Sequence, residues 1–153
     1  MIILGQKGFS GIVKYILDLV FVGGIGVFLS LPIALKWYLG LMYSRTSENY
    51  NFLFGFLFVT GIFALLIVNE IRKLLMNLNR GNPFIIGNVT SLNRIAISCW
   101  LITACYVIKI IFYNSFLTII VAMVFIITGF FSIILAEVFR QAVEVKGEND
   151  LTI

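Results

Sequence analysis

The chain has 153 residues, of which 61% are apolar and only 12% charged, with no histidine. A soluble domain is about 45–50% apolar and about 25% charged. A mean hydropathy of +1.07 therefore excludes a soluble fold and puts most of the surface in lipid. The net charge of +4 does not point to nucleic acid. The basic residues flank apolar segments, as topology requires, and form no stripe with interleaved aromatics. No direct nucleic-acid contact is expected.

The opening MIILGQKGFSGIVK lacks the small-residue cleavage site of a secretory signal, and the apolar stretch behind it is too long for one. It reads as a short cytosolic lead-in. The first apolar segment, Leu19 to Leu35, lies between Asp18 and Lys36 and predicts a membrane helix over about 15–38. A helix needs about 20 apolar residues to cross a hydrocarbon core of about 30 Å, and Lys36 can extend its stem to carry the ammonium outward. Pro32 removes one backbone hydrogen bond and predicts a kink near the outer end. The second segment predicts a helix over about 49–76, the third over about 93–113 with Lys109 reaching outward, and the fourth over about 116–137. A barrel is excluded, because these runs are apolar on every side rather than alternating. Gly26 with Ser30, Thr60 with Ala64, and Thr128 with Ser132 are small residues four apart, suited to close helix packing. Cys99 and Cys105, on one helix, are separated by about 9 Å of rise. A disulfide tolerates about 7 Å between Cα atoms, so they should act as small core residues. With no histidine and no cysteine pair at ligand spacing, no metal site, cofactor or enzyme activity is expected.

Basic residues set the orientation. With the N-terminus inside, Lys7, Lys14, Arg72, Lys73, Arg80, Arg94, Arg140 and Lys146 face the cytosol, while Lys36, Arg45 and Lys109 lie outside. That asymmetry places both termini and the middle loop in the cytosol and leaves only short outer loops, near 40–50 and at Asn114–Ser115. The expected fold is an all-α integral membrane protein, one domain over residues 1–153. It is an up-down-up-down bundle of four transmembrane helices with a cytosolic amphipathic extension of the last helix.

In the middle loop, Gly81 suits the stop of the second helix. Asn82 followed by Pro83 reads as an N-cap and first helical residue. Phe84, Ile85 and Ile86 should rest at headgroup level, and Asn88 can cap a second start leading into helix three. After the fourth segment, Leu135, Val138, Phe139 and Ala142 follow helical spacing and predict an apolar stripe, with Glu137, Arg140, Gln141 and Glu144 off it. Glu137 can reach Arg140, and Arg140 can reach Glu144; Arg72 and Arg94 are further partners for Glu137. Lys14 stands one turn from Asp18. The extension should run about two turns, until Gly147 ends it, leaving the remainder of 138–153 as a tail.

The run RGNPF with the following Asn88 and Leu92, and the ending LAEVFRQAVEVKGENDLTI, resemble a bacterial family catalogued as domain of unknown function 2975. The resemblance covers essentially the whole chain. It implies a small four-helix protein of the bacterial plasma membrane. Family members are often encoded beside a very short helix-turn-helix regulator, which implies a regulatory or sensor protein with such a cytosolic partner. The residues expected to meet it are Asn82, Pro83, Phe84, Asn88, Glu137, Arg140 and Glu144. Immunity or resistance to membrane-active peptides, and a small oligomeric transporter or channel, are the alternative readings. Thr60, Asn69, Thr103, Thr118 and Thr128 are too scattered to define a pathway.

Overall fold

The computed structural model describes residues 8–41 and 49–152. Residues 1–7, 42–48 and 153, which include Lys7, Arg45 and the expected first outer loop, lie outside the described residues. Every regular element described is a helix: α1 (Phe9–Leu41), α2 (Tyr50–Asn79), α3 (Ile86–Phe112) and α4 (Phe116–Leu151). All four are long and apolar enough to cross a bilayer. In hydrocarbon a helix alone satisfies its own backbone amides, so the apolar runs fold this way. The largest overshoots of the expected spans are at one end. α1 begins at residue 9 rather than 15, α3 at 86 rather than 93, and α4 continues to 151.

Facing residues fix how neighbours run. Ser10 meets Asn79, Asp18 meets Arg72, and Phe28 meets Phe58, so α2 runs back along α1. Asn77 meets Asn88, Arg94 meets Glu70, and Tyr106 meets Phe56, so α3 runs back along α2. Trp100 meets Phe130 and Tyr106 meets Phe125, so α4 runs back along α3.

The core lies on α3. Val89, Leu92, Ile95, Ala96, Cys99 and Ile102 are buried along one face, and α4 answers with Ala122, Gly129, Ser132 and Ala136. Small residues let backbones approach where lipid supplies no hydrophobic drive between helices. Gly129 shows this most directly: a Cβ there would stand 3.2 Å from Trp100 Nε1 and 3.5 Å from Cys99 Cβ. Between α1 and α2 the close contacts fall at Gly24 against Leu65 and Gly61 against Phe28. Of the small-residue pairs expected from spacing, Thr60 and Ser132 are buried, whereas Gly26 and Ser30 are exposed. Spacing alone does not say which helix face meets a neighbour. Both cysteines are free, Cys99 fully buried and Cys105 half-buried.

Among the described residues, close backbone contacts join α1 to α2, α2 to α3 and α3 to α4, and no other pair. The seam between α1 and α4 is open. An apolar cavity of about 410 Å³ lies mainly along α1 and α2, lined by Val20 and Phe28 from α1 and Thr60 from α2, with Tyr106 from α3 and Phe125 from α4 at its edge.

Candidate functional site at the charged rim

The charged and amide side chains gather where α2 turns into α3 and where α4 leaves its apolar run. Gly81 ends α2 as its sequence position indicates. Its φ is +76°, a region glycine enters without steric cost. Its N–H donates to the Leu78 carbonyl and the Asn82 N–H to the Asn77 carbonyl. These bonds satisfy the last carbonyls of the helix.

Asn82 and Pro83 do not start a helix, and Asn88 is not a cap. α3 starts at Ile86, after Ile85, which makes no side-chain capping bond. Asn88 is 1% exposed, inside the first turn of α3. Its Nδ2 donates to the Pro83 carbonyl at 2.6 Å, and its Oδ1 accepts from Asn77 Nδ2 at 2.7 Å. The burial explains the difference: a cap oxygen turns back to its own helix, whereas this amide ties the loop and the end of α2 to α3. Asn88 therefore holds the loop in place.

α4 also departs from expectation. It passes through Gly147 and ends at Leu151, with Thr152 Oγ1 donating to the Glu148 carbonyl at 2.6 Å. One glycine costs a helix only about 1 kcal/mol, and contacts on either side offset that. Lys146 Nζ donates to Asn82 Oδ1 at 2.8 Å. The Phe84 and Phe139 rings meet edge-on at 5.5 Å. Leu135, Phe139 and Val143 pack on Val89, Leu92 and Ala136, and Ala142 is half-buried beside them. Val138, expected in the stripe, is exposed, because the packed face follows the line from 135 through 139 to 143. The extension is docked along the middle loop rather than floating free.

Glu137 pairs with Arg140 at 2.6 Å, and Arg140 also pairs with Glu144. The Glu137 hydrogen bond and then the Glu137 and Glu144 charges push the Arg140 guanidinium above its ordinary value. Arg72 and Arg94 are engaged elsewhere. Arg72 Nε donates to Asp18 at 2.6 Å and lies over the Phe21 ring at 4.5 Å. Asp18 thus finds its partner on α2, not in Lys14. Sequence reasoning passed over Glu70 entirely. It is 5% exposed, takes Lys73 Nζ at 2.8 Å and Arg94 Nη1 at 3.4 Å, and buries Oε2 without a hydrogen-bond partner among the described residues. The available signal was a lone acid at the edge of an apolar run, which is costly unless paired.

Of the expected partner-facing residues, Glu137, Arg140 and Glu144 form their own ladder along α4, and Asn82 and Phe84 form a surface with Lys146 and Phe139 of the extension. Pro83 lends its carbonyl to Asn88. A shallow cavity of about 540 Å³ lies on this surface, lined by Phe84, Gln141, Ala142, Val145, Lys146, Asn149 and Asp150.

Four apolar helices with their ionised groups confined to the ends define a multi-pass membrane protein. The family described as a protein of unknown function, DUF2975, matches residues 29–153, and the chain belongs to it. No curated protein and no solved structure matches the chain.

Proposed function

We propose that this is a non-enzymatic regulatory protein of a bacterial plasma membrane. It spans the bilayer four times in alternating directions, has both termini in the cytosol, and docks a small helix-turn-helix regulator on its charged rim. Among the described basic residues, Lys14, Arg72, Lys73, Arg80, Arg94, Arg140 and Lys146 gather at that rim, with Lys36 and Lys109 at the other end. That distribution supports the orientation.

The observation carrying the reading is the docked extension. α4 stays helical to Leu151, well beyond its apolar run, and is joined to the middle loop by Phe84–Phe139 and Asn82–Lys146. Such a surface is already ordered, so a partner would bind it without the entropy cost of ordering a tail. The end of the extension is acidic on balance, with Glu144, Glu148 and Asp150 against Lys146, which suits the basic face of a DNA-binding module. Docking and DNA binding then compete for the same basic face and share a salt dependence.

Peptide immunity and transport draw no such support. The hydroxyls of Thr60, Thr103 and Thr128 bond to carbonyls of their own helices, Phe56, Cys99 and Val124, as helix-packing threonines do. The test is capture of the neighbouring helix-turn-helix regulator by the full chain in mild detergent. Deleting 144–153, or reversing Glu144, Glu148 and Asp150 to lysine, should abolish capture. Undiminished capture by both variants would overturn the proposal.

A further inference from the structure

The rim holds a second feature, independent of the docking surface. On the α2–α3 face that neither α1 nor α4 lines, a polar cleft of about 300 Å³ is walled by Glu70, Lys73, Thr90, Ser91 and Arg94. It adjoins an apolar groove of about 190 Å³ formed by Phe63, Leu66, Ile97 and Leu101. Glu70 and Arg94 line both. The groove leads from the charged rim toward the middle of the helices, since Leu66 and Phe63 lie one and two turns along α2 from Glu70. Leu66, Ile97 and Leu101 are 45%, 59% and 42% exposed.

Charge is left over here. Arg72 is matched by Asp18, but Lys73 and Arg94 share the single carboxylate of Glu70. The Lys73 and Arg94 side chains are 42% and 60% exposed. One uncompensated positive charge faces the cleft, and a guanidinium held at 3.4 Å by one nitrogen keeps other N–H donors in reserve. Glu70 is buried behind these cations, with Oε1 on Lys73 and Arg94 and with Ser91 beside it, so the groups that the cleft offers to a ligand are cationic.

We propose that this cleft binds a single anionic phospholipid whose phosphodiester sits on Lys73 and Arg94 and whose acyl chain lies along Phe63, Leu66, Ile97 and Leu101. A lipid of net charge −1 matches the surplus charge, and an acyl chain extends from a headgroup in the direction the groove takes. Basic cleft and apolar groove together are the features by which helix pairs retain particular lipids at the inner leaflet.

The test uses the full chain in nanodiscs of mixed phosphatidylglycerol, phosphatidylethanolamine and phosphatidylcholine, with lipid retained after gentle detergent extraction identified by native mass spectrometry. Anionic phosphatidylglycerol should be retained over the zwitterionic phosphatidylethanolamine and phosphatidylcholine. Lys73→Gln, at an exposed position that leaves Arg94 on Glu70, should lower retention by about tenfold, the scale of one charge-assisted hydrogen bond. Leu101→Trp should block the groove and lower retention as well. Equal retention of phosphatidylcholine by the wild type, retention unchanged in both Lys73→Gln and Leu101→Trp, or displacement of the lipid by excess inorganic phosphate would overturn the proposal.

Discussion

Replacing Asn88 by alanine tests how the rim is held together. The substitution removes both bonds of a side chain that is 1% exposed. It strands the Pro83 carbonyl and Asn77 Nδ2, which lie 2.6 and 2.7 Å from the amide. A stranded buried polar group costs about 1–3 kcal/mol. Water at the rim can reach part of the loop, which leaves about 2–4 kcal/mol for the pair and the small cavity together. The assay is equilibrium unfolding in mild detergent by denaturant, followed through Trp100, whose ring packs on Phe130 at 4.8 Å. The double variant Asn77→Ala with Asn88→Ala should cost less than the sum of its parts, because one of the stranded groups disappears. A loss below about 0.5 kcal/mol for Asn88→Ala, the range of ordinary surface changes, would refute the argument that this amide fastens the loop to α2 and α3.

Three further outcomes follow from backbone and packing. Gly81→Ala should destabilise by about 1–2 kcal/mol, the cost of a side chain in the left-handed region, because Gly81 sits at φ +76°; the same unfolding assay reads it. Gly147→Ala should do the opposite, since nothing lies within 4 Å of the added carbon and alanine gains about 0.8–1.0 kcal/mol of helix propensity; slower amide exchange over 144–151 reads it. Gly129→Val should cost about 1–3 kcal/mol by overpacking against Trp100, with a shifted tryptophan emission and a lower Tm as the readout.

How much of this was legible in the sequence depended on whether a relation runs along one helix or between two. Length and apolarity located all four helices, because any chain in lipid must satisfy its amides within each segment. The Glu137–Arg140–Glu144 ladder was legible because three- and four-residue spacing alone puts those groups side by side. Asp18 was different. Its obvious neighbour was Lys14, yet its partner Arg72 lies on the next helix, and only the register of α1 on α2 brings them together. Glu70 escaped notice for the same reason: its contact with Arg94 depends on how α2 and α3 are phased. Asn88 looked like a cap because asparagine before an apolar run usually is one; its burial by the loop and α2 is a tertiary fact. Gly147 looked like a stop, but contacts made by Phe139, Val143 and Lys146 outweigh one glycine's propensity. At the rim, the sequence marked two polar stretches without showing that Phe84 and Phe139 join them.

The most direct test of the account asks on which side of the membrane the joined loop and extension lie. A cysteine placed at Val145, an exposed position on that surface, should resist a membrane-impermeant maleimide in intact cells and label only after permeabilisation. A cysteine at Ser115, between α3 and α4 at the opposite end, should label without it. Labelling of the Val145 position in intact cells would contradict the orientation and with it the docking of any cytosolic partner.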